Sequence, residues 1–228
     1  MTNILSENPT QDYSRFSIVS PLVSPQEIKL NKTLKLGIMA SGSGTNFEAI
    51  AKAIEDKRLD AQIQVLIYNN PDAKVKSRAD RLGLPAVLLD HRKYKRREDL
   101  DQAIVEVFQQ YEVEWVIMAG WMRIITKVLL NEFPNRVINI HPSLLPSFPG
   151  IRGIEKALEA GVKITGCTVH IVTLEVDSGP ILIQAAVPIL PDDTPETLHA
   201  RIQVQEHLIF PLGITLAAND NGEWRMEN

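Results

Sequence analysis

Short apolar runs alternate with amphipathic stretches from residue 34 to residue 140 of the chain. Apolar runs closed by Gly, Pro or Asn predict buried strands at 36–40, 63–68, 86–89, 115–119 and 136–140. Apolar residues at helical spacing predict helices after Thr45 or Asn46, over 74–82 and over 97–111. This alternation predicts an α/β fold with a doubly wound, mostly parallel sheet of the Rossmann-like kind and helices on both faces.

The pattern changes after residue 150. A short helix over 155–160 precedes two β-rich runs at 164–173 and 180–190, which predict an antiparallel hairpin with a wide connection. The run Thr194-Pro195-Glu196 is a typical helix start and predicts a final long helix, which Pro211 is expected to kink or end. A C-terminal hairpin and long helix should therefore complete the mostly parallel sheet.

Residues 1–33 lack this periodicity and carry three prolines, so we expect a flexible N-terminal extension there. Residues 34–218 are expected to form a single domain, and residues 219–228 a C-terminal tail. A length of 228 residues suits one α/β domain of this size.

Composition narrows the classes of function. The chain is 44 % hydrophobic and 23 % charged, which is enough apolar material for a packed core. The net charge of −4 argues against a nucleic acid as partner, and no apolar run reaches the roughly 18 residues of a membrane span. One cysteine, Cys167, excludes an internal disulfide, and with no secretory signal we expect a cytoplasmic protein that acts on small molecules.

Polar residues follow three of the predicted strands, at 41–46, 120–123 and 139–142. The carboxyl ends of parallel strands share one edge of the sheet, so these segments should lie together and form the functional site. The first of them, Ser-Gly-Ser-Gly-Thr-Asn, lies between a strand and a helix, where converging N–H groups suit an anion. It lacks the third glycine of a dinucleotide fingerprint and the lysine of a mononucleotide loop, so we interpret it as a site for one terminal phosphate.

The stretch at 139–146 contains the side chains best suited to catalysis. Asn139 and His141 are two residues apart, so both should project to one side of a strand end. An amide donor beside an imidazole suits the binding of an oxyanion and the exchange of a proton. Asp177, in the predicted hairpin connection, is the natural carboxylate partner, although an ordinary turn aspartate fits that position equally well.

Other chemistries are less well supported. Ser143 is not in a Gly-x-Ser-x-Gly elbow, which argues against a serine hydrolase, and the five histidines lack the spacing of a metal site. Cys167 lies in an apolar run and should pack as a small hydrophobe. Gln203 and Glu206 share one polar face of the final helix, and the periodicity leaves open whether that face meets solvent or ligand.

Four motifs occur together, at 41–46, 119–124, 139–146 and 177–180. In this order they resemble the glycinamide ribonucleotide formyltransferases, folate-dependent enzymes of purine biosynthesis, over about residues 34–215. The resemblance implies a formyltransferase catalytic domain in which an amine attacks the formyl carbon of 10-formyltetrahydrofolate directly. It also implies a reaction without metal, in a monomer or homodimer.

The same resemblance implies roles for individual residues. The catalytic set would be Asn139, His141 and Asp177. The phosphate-bearing substrate would be held by Gly44, Thr45, Asn46 and Glu206. The folate-binding site would be lined by Arg97, Met122, Arg123, Ile124, Ile125 and Asn139. Arg152 stands where several relatives carry a histidine, which is a local departure from the pattern.

Three other functions fit the sequence less well. A methionyl-tRNA formyltransferase would need a further RNA-binding domain after the last helix, and the net charge of −4 argues against tRNA. A formyltetrahydrofolate hydrolase would need a regulatory domain, for which the 33 residues before the predicted core are too few. A phosphate-sensing module without chemistry has no use for Asn139, His141 and Asp177 together.

Overall fold

A computed structural model describes residues 18–22 and 30–219, and one eight-stranded sheet forms the centre of that part of the chain. The strands are β1 (Ile18–Ser20), β2 (Leu34–Ala40), β3 (Ala61–Tyr68), β4 (Ala86–Leu88), β5 (Trp115–Met118), β6 (Val137–His141), β7 (Ile164–Ile171) and β8 (Ile181–Pro188). Their order in the sheet is β1-β8-β7-β6-β5-β2-β3-β4. Strands β2 to β6 are mutually parallel, and β7, β8 and β1 each run antiparallel to the preceding neighbour. The predicted α/β class, parallel sheet and C-terminal hairpin are confirmed.

Within residues 18–22 and 30–219, six α-helices connect or follow these strands. They are α1 (Thr45–Glu55), α2 (Val75–Arg81), α3 (Arg97–Gln110), α4 (Lys127–Glu132), α5 (Gly153–Glu159) and α6 (Pro195–Asn219). The short helix α4 and a 3₁₀ turn at His91–Lys93 were not predicted, because each is too short to show a clear apolar period.

Two buried clusters cover the opposite faces of the sheet. Phe47 of α1 and Phe210 of α6 belong to the first cluster, with Ile38 of β2. Phe108 of α3 belongs to the second, with Met39 of β2. Neighbouring residues of β2 thus enter different clusters, as the alternation of a strand requires. The helices therefore lie on both faces, as the sequence predicts.

The direction in which successive strands are added to the sheet reverses at β2. From β2 the chain passes to β3 and β4 on one side, and then crosses to β5 and β6 on the other. The loops after β2 and β5 consequently meet at the carboxyl edge, where the Ser41 N–H donates to the Gly120 carbonyl at 3.0 Å. Open α/β sheets bind ligands at this kind of position.

Pro211 does not end helix α6, so the end expected there is wrong, whereas a kink at Pro211 stays a prediction. The helix continues from Pro195 to Asn219 with Pro211 inside it. Proline removes one helical hydrogen bond, but Ile209, Phe210 and Ile214 on either side are fully buried. Packing of the helix against the sheet outweighs the loss of that bond.

The N-cap of helix α1 lies one residue before the first of the two predicted caps. Gly44, with a φ of 76°, is the N-cap, and no side chain caps the helix. Thr45 and Asn46 are instead the first two helical residues, and their side chains bond elsewhere.

The predicted extension contributes one strand. Within residues 1–33, Ile18–Ser20 pairs antiparallel with Gln184, Ala185 and Ala186 of β8, so this part of the extension is not free of the domain. Residues 1–17 and 23–29 and the tail from 220 onward lie outside the described residues, so flexibility there stays a prediction.

Gly166 allows β7 and β8 to pair closely. A Cβ atom built on Gly166 would overlap the Ala185 carbonyl and would lie 2.9 Å from a Leu144 methyl. We expect Gly166→Ala to lower the free energy of unfolding by about 3 kcal/mol, because backbone has to move. Chemical denaturation measures this, and Gly42→Ala, which meets nothing within 4 Å, is the control. Equal stabilities of the two variants would contradict the prediction.

Candidate active site

The loop after β2 is shaped for an anion. Gly44 has a left-handed conformation, and a Cβ there would collide with Val75 of α2. Glycine is therefore required by both backbone and packing. The 11-residue helix α1 starts at this point, and its first N–H groups and dipole face the loop.

Helix α6 reaches this loop from the far end of the chain. The Gln203 amide donates to the Thr45 hydroxyl at 2.9 Å, and the Asn46 amide donates to the Glu206 carboxylate at 3.0 Å. The polar face of α6 that the sequence left unassigned is thus directed at the predicted phosphate loop. Asn46 Oδ1 is buried without a hydrogen-bond partner among the described residues, so an acceptor remains available there.

Glu206 is a buried carboxyl group with 4 % of its surface exposed. Burial raises the pKa of Glu206, and the hydrogen bond from Asn46 and the charge of His199 only partly oppose this. A buried carboxyl beside a hydrogen-bonding amide suits recognition of a hydroxyl or amine.

Strand β6 and the loop between β7 and β8 bring the three predicted catalytic residues together. Asn139 and His141 lie on β6, and His141 Nδ1 is 3.3 Å from an Asp177 carboxylate oxygen. Both side chains of this pair are about nine-tenths buried. Asp177 has a positive φ of 53°, a conformation that its turn imposes and that aims the carboxylate inward.

Both ring nitrogens of His141 face acceptors. Nδ1 faces Asp177, and Nε2 lies 2.9 Å from the Phe148 carbonyl oxygen. These two contacts hold the imidazole ring in place at the end of β6.

His170 is a site residue that the sequence interpretation missed. It lies on β7 directly opposite Asn139, with its Nε2 3.1 Å from the Asn139 amide nitrogen and 3.5 Å from Asp177. Its Nδ1 donates to the Ile171 carbonyl at 2.9 Å, and its Nε2 faces both Asn139 and Asp177. One sequence feature could have identified His170: it is a histidine inside an apolar strand, two residues from the hairpin connection.

Several hydrogen-bond donors surround the Asp177 carboxylate. Burial acts to raise the pKa of Asp177, but the hydrogen bond from His170, the Gly150 N–H at 2.8 Å and the charge of His141 outweigh burial. The pKa of Asp177 is therefore lowered, and the carboxylate stays ionised at neutral pH.

The loop after β5 presents the residues assigned to the folate. Met122 and Ile124 are 78 % and 54 % exposed, and Arg123 is also exposed, whereas Ile125 is buried in the second cluster. The Met122 N–H donates to the Ser41 hydroxyl at 2.8 Å. This exposed apolar loop therefore lies beside the anion loop. Arg97 is exposed at the start of α3.

Other nucleophiles are engaged or buried. The Ser143 hydroxyl donates to the Ser147 carbonyl at 2.6 Å, which leaves the serine-hydrolase interpretation without a His–Ser contact. Burial raises the pKa of the Cys167 thiol well above its ordinary value.

Over residues 18–22 and 30–219, no group of three or more His, Cys, Asp or Glu side chains is arranged to hold a metal ion. In the same part of the chain, no helix combines the length and apolar character needed to cross a bilayer.

Comparison with known protein families matches residues 34–214 to the family described as formyl transferase. The chain belongs to the formyl transferase family. The phosphoribosylglycinamide formyltransferase of Bacillus subtilis (strain 168) is 41 % identical over 191 residues, which are 83 % of this chain and 98 % of that protein. Family membership implies a folate-derived formyl donor.

Larger proteins also contain this formyl transferase unit. The trifunctional purine biosynthetic protein adenosine-3 of Gallus gallus is 39 % identical over 193 residues, which are 85 % of this chain and 19 % of that protein. The chain thus spans about a fifth of the trifunctional relatives. Among solved structures, glycinamide ribonucleotide transformylase 1 from Symbiobacterium toebii has a TM-score of 0.82 and 45 % identity, with 86 % of this chain and 92 % of that chain covered.

The buried carboxyl of Glu206 predicts a pH-dependent stability difference. A raised pKa in the folded state means that folding is favoured by protonation, so this contribution is full below the ordinary glutamate pKa and is lost as the pH rises from there through the raised pKa of the folded protein. We expect Glu206→Gln to be more stable than the wild type at pH 8 and to lose that advantage near pH 4. Denaturation at both pH values measures it, with the exposed Glu55→Gln as control. A difference independent of pH would contradict the prediction.

Proposed function

We propose that this protein transfers the formyl group of 10-formyltetrahydrofolate to the amine of N1-(5-phosphoribosyl)glycinamide, a step of purine biosynthesis. The observation that carries the proposal is the Asn139, His141 and Asp177 cluster, which lies at the sheet edge that also holds the anion loop. The names of the relatives support the choice of substrate.

The phosphate of the acceptor substrate occupies the loop at Gly44, Thr45 and Asn46. The N–H groups at the start of α1 bind its oxygens, and the helix dipole favours its charge. Glu206 binds the ribose or glycinamide part, held in place by Asn46. This arrangement directs the substrate amine away from the loop and towards the cluster on β6.

The folate occupies the space beside the loop after β5. Met122, Arg123, Ile124 and Ile125 line the pteridine, with Asn139 at its inner end. The exposed guanidinium of Arg97 binds a carboxylate of the folate tail.

The reaction is acyl transfer by direct attack. The amine nitrogen forms a bond to the formyl carbon, and the formyl oxygen takes up negative charge in a tetrahedral intermediate. Asn139 and His141 donate to that oxygen, and the His141 Nε2–H exchanges the Phe148 carbonyl for the formyl oxygen as the donor binds. The proton lost by the amine passes by way of the Asp177 and His141 pair to N10 of the folate, and the bond between carbon and N10 then breaks. The products are the formylated amide and tetrahydrofolate.

Purified protein with both substrates should release tetrahydrofolate only when the glycinamide substrate is present. Absorbance measures the release, and product analysis measures formylation. Release in the absence of the acceptor would identify a formyltetrahydrofolate hydrolase instead. No release from active folate would overturn the proposal.

Two variants test the roles on β6 and in the hairpin connection. We expect His141→Asn and Asp177→Asn each to lower kcat by a factor of about 10²–10⁴. Binding of the phosphate substrate, measured by calorimetry, should survive, because Gly44 and Asn46 belong to a separate loop. Asp192→Asn, at an exposed loop position, is the control. Equal loss of binding and turnover in Asp177→Asn would make Asp177 a structural residue.

A further inference from the structure

Asp101 is a buried carboxylate that the proposed mechanism does not use. It lies on α3 with 2 % of its surface exposed. The Thr126 N–H donates to its Oδ2 at 2.5 Å. Burial raises the pKa of Asp101, and hydrogen bonding from Thr126 opposes that effect. Buried polar groups are normally hydrogen-bonded, and Asp101 meets this need through Thr126.

Thr126 ends the exposed loop after β5. It is the N-cap of α4, and its hydroxyl accepts from the Val128 N–H at 3.2 Å. The loop runs from Trp121, which is buried, through the exposed residues at 122–124 to Ile125, which is buried again. A polar contact closes each end, because the Met122 N–H donates to Ser41 at one end and the Thr126 N–H donates to Asp101 at the other.

Asp101 also joins this loop to Arg97. The two residues are four apart on α3, so they lie one above the other on the same face of the helix. Arg97 is close enough to favour the ionised form of Asp101. The contact between Asp101 and Thr126 therefore fixes the distance between the loop at 122–125 and the start of α3.

We propose that Asp101 is a positioning residue that holds the loop at 122–125 in register with Arg97 and so builds the site for the formyl donor. This inference rests on the proposed function, in which both segments contact the folate. Asp101 touches neither substrate and acts through Thr126. Loss of the contact should weaken donor binding and leave the phosphate loop intact, because the phosphate loop is held by α6.

The test measures KM for each of the two substrates separately. We expect Asp101→Ala to raise KM for 10-formyltetrahydrofolate about tenfold, which is the size of effect that loss of a charge-assisted hydrogen bond gives. KM for the glycinamide substrate should stay within about twofold, because the contacts of Thr45 and Asn46 with α6 do not involve the loop at 122–125. Asp101→Asn keeps a buried oxygen for the Thr126 N–H and should stay within about threefold of the wild type for both substrates. Asp99→Ala, an exposed change on the same helix, is the matched control.

Equal rises of both KM values, no rise in either, or an asparagine variant as poor as the alanine variant would each overturn the proposal. If Asp101→Ala does not fold, Thr126→Ala removes only the hydroxyl that caps α4 and so loosens the residue whose N–H donates to Asp101. It should raise KM for the donor selectively by about threefold, and no selective rise would overturn the proposal.

A second readout does not depend on activity. Arg123 is exposed in the loop, so trypsin should cleave after it faster in Asp101→Ala than in the wild type. If the wild type transfers no formyl group, the proposed function fails, and this cleavage still tests the contact. Faster cleavage supports the positioning role, whereas an unchanged rate overturns it.

Discussion

The Asp177 carboxylate contacts three separate segments of the chain, and the geometry of the site depends on it. It faces His141 on β6 and His170 on β7, and it accepts from the Gly150 N–H in the loop that follows β6. A single ionised group buried in this way is stable only when donors surround it. The same contacts that stabilise the charge also fix the ring of His141 and the amide of Asn139, so stability and reactivity have one origin.

Long-range contacts complete the rest of the site. Gln203 and Glu206 on α6 hold Thr45 and Asn46, which are about 160 positions away in the chain. Helix α6 packs tightly on β7 and β8, because Gly213 lets it approach Val169 of β7 and Ile183 of β8. The helix that completes the core therefore also completes the substrate loop. Gly44, Thr45 and Asn46 need this partner, since Gly44 leaves α1 without a side-chain cap.

The sequence was sufficient wherever a local pattern decides the structure. The strands at β2, β3 and β5 follow from continuous apolar runs, and Asn139 and His141 follow from their place at a strand end. His170 was missed because its role comes from the register between β6 and β7, which no local pattern encodes. Asp101 was missed for a similar reason, since its partner Thr126 is 25 residues away. Pro211 was misjudged because propensity is local, whereas the packing that carries the helix through it is tertiary.

Both edges of the sheet are short. Strand β1 is three residues long, and so is β4 at the opposite edge. Unpaired N–H and C=O groups along an edge strand are a template on which another chain can add, and short edges are a poor template. Ile18–Ser20 covers the middle of the eight-residue strand β8, which would otherwise be the longer exposed edge. The few residues that precede the main domain therefore make the folded protein less prone to edge-to-edge aggregation.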